Sequence, residues 1–313
     1  MKYVRALKIV ADRLKMNFGE NPDRRPRKPI PVIKPALAGF LRASSQAMWF
    51  GHSTVFMQVE GRTVLCDPVL SGPSWPVTVF TGKRFTEELP VAVKDFPQLD
   101  ILLLSHDHYD HMDYKTIMAL KNKVKHYCVP CGVGARLAGW GIDKARINEF
   151  TYGETRRISG LAFACTPNRH FSGRGLHDRN KTMWCSWAVT GQKTNIFFSG
   201  DGAYGPHFTL IGDQHGPFDI IFLECGQANA LFGQIHMVPE MAVQAQLDLK
   251  GQLMVPIHWG LFSQSNPDWT SQVERLLIEA QRKGVQVATP MIGEIVTIGD
   301  NKYPCHRWWR DYK

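Results

Sequence analysis

From about residue 45 onward the chain alternates short apolar runs with polar turns. MWFGHSTVFMQVEGRTVLCDPVL reads as two strands, with Glu60-Gly61 where a hairpin should turn. DILLLS (100–105) is a short continuous apolar run, the pattern of a buried strand. Residues 113–123 carry a helical pattern with Asp113 as its cap. Later apolar runs (LAFACTP, WCSWAVTG, TNIFFSG, DIIFLEC and QLMVPIHWG) are separated by helical stretches, notably 239–250 and 269–283. Strands come first, then strands alternating with helices, in two halves and without a short-period repeat.

The N-terminal 40 residues differ. Tyr3, Val4, Leu7, Val10, Leu14 and Phe18 recur at helical spacing, which predicts a helix over 1–18, with Lys2, Arg5, Lys8, Arg13 and Lys15 on the remaining positions. Two readings stay open: a helix packed on the domain with a solvated charged face, or a basic amphipathic helix lying on a membrane. Residues 19–38 are rich in Pro and Arg and read as an extended linker or strap. Residues 1–40 are therefore read apart from one domain over 41–313. The irregular stretch 71–98, with Gly, Pro and aromatics, is placed at the border of a pocket.

A chain of 313 residues can bury one large core or two small ones. No stretch approaches the roughly 18 apolar residues of a membrane-spanning helix. Lys8, Asp12, Arg13 and Lys15 break what would be the apolar centre of a signal peptide, so a cytoplasmic protein is expected, with peripheral membrane attachment as the alternative. Seven cysteines, an odd number, are expected reduced, and the lone Cys128-x-x-Cys131 pair is read as structural. The net charge of +9 suggests an acidic partner: nucleic acid, a phosphorylated small molecule or an anionic membrane.

The chemistry concentrates in Ser-His-Asp-His-Tyr-Asp-His, residues 105–111, between a buried strand and a helix. Three of the twelve histidines fall within six positions there, and a turn lets His106, His108, Asp110 and His111 converge as a straight strand would not. Imidazole and carboxylate are the usual ligands of a catalytic zinc. His170, Asp201 and His258 each end or closely follow an apolar run, and Gly200 and Gly202 flank Asp201. Singly such residues are commonplace; together with 106–111 they read as ligands.

This five-part pattern resembles the signature of the metallo-β-lactamase superfamily. The resemblance implies an α/β (α+β) protein, an αββα four-layer sandwich with two metals at one edge of its paired sheets. Within that superfamily WFGHSTVFMQVEGRTVLCDPVL, LLLSHDHYDHMDY, TPNRHFSGRGLHDRNKTMWCSWAV, FFSGDGAY and IHMVPE…PIHWG are similar to the N-acyl-phosphatidylethanolamine-hydrolysing phospholipase D group. The resemblance implies that His106, His108 and His170 hold one metal and Asp110, His111 and His258 the other. Asp201 and a hydroxide would bridge them. Gly202 departs from the pattern, since relatives commonly carry Thr there.

The expected activity is that of a metal-dependent, phospholipase D-like phosphodiesterase with a binuclear centre. Zinc is the expected metal, with Mn2+ or Fe2+ also compatible with a set lacking thiolate. Asp110, Asp201 and His236 are the catalytic candidates. His236 would bind a phosphate oxygen or protonate the leaving group, and His52 is assigned to the substrate side near the site floor. Asp67, in CDP, is the candidate for orienting the ligating imidazoles, and Asp107 is expected to turn away. The competing readings are a lactonase or other ester hydrolase of the same fold, a nuclease, and a non-catalytic metal-binding protein. A small-molecule or lipid phosphodiester is the expected substrate, with no nucleic-acid partner, membrane contact through 1–18 and a homodimer as further expectations.

Overall fold

The central strands are too apolar to face water, and the chain resolves this by stacking two sheets between helices. The computed structural model describes residues 21–42, 45–71, 83–175, 177–226, 235–263 and 268–313. The helix expected over 1–18, and residues 72–82 of the irregular stretch, lie outside these. The first sheet contains β1 (Ser45–Trp49), β2 (Val55–Val59), β3 (Arg62–Cys66), β4 (Leu99–Leu103), β5 (Val124–Pro130), β6 (Ile147–Phe150) and β14 (Ile295–Thr297), in the order β14-β1-β2-β3-β4-β5-β6. The second contains β7 (Thr155–Ile158), β8 (Leu161–Thr166), β9 (Ser186–Thr190), β10 (Asn195–Phe198), β11 (Phe218–Glu224), β12 (Gly251–Ile257) and β13 (Gln286–Val287), in the order β13-β12-β11-β10-β9-β8-β7.

Both sheets follow one plan. From β14 to β3 neighbours are antiparallel and from β3 to β6 parallel; likewise β7 to β10 are antiparallel and β10 to β13 parallel. Antiparallel neighbours can be joined by tight turns. The β2–β3 hairpin turns at Glu60 and Gly61, both at positive φ (49° and 81°), as a type I′ turn requires. Parallel neighbours need crossovers, and helices supply them. On the first sheet these are α2 (Tyr114–Leu120) and α3 (Val133–Gly139). On the second they are α4 (His207–His215), α5 (Pro239–Asp248) and α6 (Ser271–Lys283). A short α1 (Leu37–Arg42) adds Phe40 to the outer face of the first sheet. Asp113 caps α2 as expected, accepting from Thr116 N at 3.0 Å.

Side-chain alternation separates two cores. Val55, Met57 and Val59 of β2 join Trp187, Phe163 and Phe198 between the sheets, whereas Phe56 turns outward to the cluster of Phe40, Ile117, Leu120 and Leu137. The result is the expected helix–sheet–sheet–helix layering. Residues 21–36 run as a strap, pinned by Arg27 N to Tyr312 O, Ile30 N to Phe85 O and Ile33 N to Ile292 O. All seven cysteines are free thiols; Cys128 is buried in β5 but Cys131 is exposed, so packing accounts for only one of that pair. No helix among the described residues is long and apolar enough to cross a membrane.

Candidate metal centre

Six strand ends meet at one edge of the sandwich. Asp67 follows β3, the 105–111 turn follows β4, His170 lies beyond β8, Asp201 beyond β10, Glu224 ends β11 and His258 follows β12. Ligand sites of open α/β sheets form at the carboxyl ends of strands in the same way. Two of these residues, Asp67 and His258, and the neighbouring His52 adopt left-handed backbone, with φ of 40°, 67° and 50°. Such left-handed backbone is uncommon for side-chain-bearing residues and is held by the surroundings. Here His52 and His258 hold each other through His258 N to His52 O (2.9 Å) and His52 N to Trp259 O (2.8 Å).

The expected ligands converge in two groups. His106 Nε2 lies 2.8 Å and His170 Nε2 3.2 Å from His108 Nδ1. Asp201 Oδ2 lies 2.9 Å from His111 Nε2, 3.0 Å from His258 Nε2 and 3.9 Å from His170 Nε2. Asp110 Oδ2 is 3.6 Å from both His111 Nε2 and His258 Nε2. Asp201 therefore stands between the two groups.

The hydrogen bonds behind the rings fix which nitrogen faces inward. Asp67 Oδ2 accepts from Ser105 Oγ (2.5 Å) and His111 Nδ1 (2.7 Å), and Ser105 Oγ in turn meets His106 Nδ1 at 2.9 Å. His170 Nδ1 donates to Ile235 O (2.9 Å). With Nδ1 carrying the proton, Nε2 of His106 and His170 presents a lone pair, and Nε2 of His111 is left to face Asp201 Oδ2. Lone pairs at 2.8–3.2 Å repel, and His108 Nδ1 could donate to one of its two neighbours at most. Asp201 Oδ1 is buried without a hydrogen-bond partner. A cation between these atoms removes both difficulties, so the residues present fit a pair of divalent ions.

The electrostatics agree. Burial pulls the imidazoles of His106 and His170 well below the usual histidine range and that of His108 down to about 4. These three are thus neutral, the form that ligates. Burial also pulls on His111 and His258, but the carboxylates beside them win. Asp201 and Asp110 hold His111 well above its usual value, and Asp201 foremost pushes His258 up to about 10. Burial alone would raise Asp110 and Asp201; the charge on His111 leads the interactions that hold both well below the carboxylate range. Without a metal, protons on two histidines balance two buried carboxylates.

The remaining candidates divide. Asp67 is fully buried behind the ligands, where burial raises its pKa against the hydrogen bonds from His111 and Ser105. His52 is also fully buried, with Nε2 2.9 Å from Asp110 Oδ2. It stands near the site floor against Asp110, fully enclosed, which removes the substrate contact assigned to it; burial, then the charge on His258, holds its pKa down to about 4. Asp107 turns away, pairing with Arg136 of α3 at 2.7 Å and accepting from Gly173 N at 2.8 Å. His236 packs beside the ligands, nearly parallel to His258 at 5.1 Å and edge-on to His170 at 5.2 Å. Its side chain is 12% exposed. Val238 caps α5 without a side-chain hydrogen bond, so His236 is not there as a helix cap. Trp49, Trp187 and Trp259 are core residues; half-buried Trp184 donates to Asn168 O at 3.1 Å.

Two residues were missed from sequence. Glu224 ends the apolar run DIIFLE and is fully buried, accepting from Gly202 N, His236 Nδ1 and Met237 N. An acid closing a buried strand at the site edge was the signal that could have found it. Asn168 donates to Ser199 O (2.8 Å) and Asp201 O (2.6 Å). A Cβ on Gly202 would stand 1.7 Å from Asn168 Oδ1, so Asn168 fills the space a Thr there would need. Gly200, at φ +56°, is required twice over, because a Cβ would also meet Ser105 Cβ at 2.4 Å.

The chain belongs to the metallo-β-lactamase superfamily: the family described as beta-lactamase superfamily domain matches residues 62–259. It is a metallohydrolase of that fold, and its relatives include the phospholipase D group that its motifs resemble. A Mycobacterium tuberculosis protein, Rv0906, is 40% identical over 91% of this chain and 77% of its own length. The N-acyl-phosphatidylethanolamine-hydrolyzing phospholipase D 1 of Caenorhabditis elegans is 30% identical over 71% of this chain and 66% of its own length. Among solved structures, Igni18, a metallo hydrolase from Ignicoccus hospitalis, superimposes with a TM-score of 0.65 at 18% identity. That match covers 83% of this chain and 100% of the archaeal one.

Proposed function

We propose that this protein is a phosphodiesterase of the phospholipase D-like type, acting on a lipid-like phosphodiester with two divalent ions, zinc foremost. The observation that carries the reading is the meeting of two ligand groups on Asp201 Oδ2, with His236 beside them and part-exposed. Similarity to the C. elegans phospholipase D supports the substrate class, and the charge of +9 suits an anionic substrate. His106, His108 and His170 would hold one ion, Asp110, His111 and His258 the other, and Asp201 would be shared. Bound there, the ions supply a water activated at neutral pH and a positive field for charge developing on the substrate. Asp67 keeps His111 and, through Ser105, His106 in the ligating tautomer. His52 holds the Asp110 carboxylate from below. His236 meets a substrate oxygen.

Metal analysis of the purified protein, paired with phosphodiester and lactone substrates, tests this reading. Two metals per chain with turnover of N-acyl-phosphatidylethanolamine or a chromogenic phosphodiester are expected. Asp201→Asn should lose turnover together with bound metal. Lactone turnover alone would move the function to an ester hydrolase of the same fold. Unchanged turnover and metal content in Asp201→Asn would overturn the ligand scheme.

A further inference from the structure

Glu224 is a buried carboxylate with no Lys or Arg paired to it among the described residues. Burying such a group is costly unless hydrogen bonds replace its water. Three N–H groups do so: Met237 N on Oε1 at 2.6 Å, and Gly202 N (3.1 Å) and His236 Nδ1 (2.9 Å) on Oε2. All three lie at the metal edge. Gly202 follows Asp201, and Met237 follows His236. In the plan shared by the two sheets, β11 holds the place of β4, so Glu224 ends the strand that corresponds to the one carrying the 105–111 turn.

Glu224 Oε also lies within 4.8 Å of facing atoms of Asp201, His236 and His258, so ligation is the obvious first assignment. Its oxygens argue otherwise, because each already accepts from protein N–H groups. Moving it onto a metal would strand Met237 N and Gly202 N without acceptors in a buried place.

We propose that Glu224 is a positioning residue that acts through His236. A carboxylate can only accept, so the His236 proton facing it sits on Nδ1, and Nε2 becomes the ring atom that meets the substrate. The ring is wedged between His258 and His170, so the tautomer and the ring plane are set together. The inference rests on the reading that His236 touches substrate; its claim about the tautomer does not.

Glu224→Gln is the discriminating variant. One oxygen of the carboxylate becomes an NH2 group. The amide oxygen can keep Met237 N, turning its NH2 toward Gly202 N and His236 Nδ1, or keep Gly202 N and His236 Nδ1, turning its NH2 toward Met237 N. In the first case Nδ1 must accept and shift its proton to Nε2, and in the second Nδ1–H loses its anionic acceptor for a neutral one. The test is 15N NMR of histidine-labelled, zinc-loaded protein, with His236 assigned by loss of its signals in His236→Ala. A protonated Nδ1 in the wild type is expected, and in Glu224→Gln either the proton moved to Nε2 or an Nδ1–H signal shifted by the weaker, neutral acceptor. The accompanying fall in kcat is about 10–100-fold, the usual effect of removing an outer partner, with metal content and KM unchanged. In a His236→Ala background, Glu224→Gln should cost nothing more. A wild-type His236 lacking a proton on Nδ1, or an equal loss from Glu224→Gln with and without His236, overturns the proposal. Unchanged turnover in His236→Ala, with Nδ1 protonated in the wild type, would remove the substrate role of His236 while leaving the tautomer assignment standing.

Discussion

Asp67 governs two imidazoles with one carboxylate. Its Oδ2 takes the His111 proton directly and the His106 proton through Ser105, while Oδ1 holds Ser105 N at 2.8 Å. Removing it frees both rings to rotate or to change tautomer, and leaves Ser105 N buried without an acceptor. Asp67→Ala should therefore weaken metal binding about 10–100-fold, measured by competition with a chelator. Affinity equal to the wild type would mean that the rings are held by packing alone. Asp67 was legible because it ends an apolar strand in CDP, as were Asp201 between its glycines and the histidines of 105–111. Glu224, Asn168 and the contact of His52 with Asp110 were not. Each is defined by a partner 12 to 58 positions away, and local pattern carries no trace of such pairing.

Among elements, α6 shows how the chain end reaches the site. Its Glu274 receives Trp309 Nε1 at 2.9 Å and Arg310 Nε at 2.7 Å, and pairs with Arg307. This clamp packs the short helix Trp308–Tyr312 against Trp259, the residue after His258, with ring centroids at 5.6 Å for Trp308 and 5.3 Å for Trp309. The α6 periodicity was readable, because one face repeats every three to four residues. The tail's docking was not, since Trp308 meets a ring 49 positions away. Hydrogen bonding from Arg310 leads the interactions that hold the Glu274 carboxyl down to about 2, against a usual 4.5. A lowered folded pKa means that the unfolded chain takes up the proton first as pH falls. The clamp's stabilisation is therefore whole above about pH 4.5 and fades as pH drops toward 2. In denaturant titrations Glu274→Gln should be less stable than the wild type at pH 7, with the gap closing across that window. A gap independent of pH would show that shape and not charge holds the tail.

At the scale of the whole molecule, the site draws its residues from both sheets. His106 to His111 belong to the first; His170, Asp201 and His258 come from the second. The layered architecture was foreseeable from strand order and the superfamily resemblance. How the two halves are fastened at this edge was not, because it depends on charges that only meet after folding. Without metal, two buried carboxylates are balanced by protons on His111 and His258, and three neutral imidazoles crowd one another across 2.8–3.2 Å. With metal, the same atoms become a cross-link between the sheets, available only to the folded chain. A ligand bound only by the folded state at a hundredfold excess over its Kd adds about 2.7 kcal/mol of stability. Chelation should consequently lower the Tm of the wild type, and restored zinc should raise it in proportion to the logarithm of free metal. Asp201→Asn, which disturbs the residue common to both ligand groups, should lose most of that response while keeping its fold. If chelation left the wild-type Tm unchanged while removing all metal, the edge would be held by its protonated histidines alone, and the ions would serve chemistry without fastening the sheets.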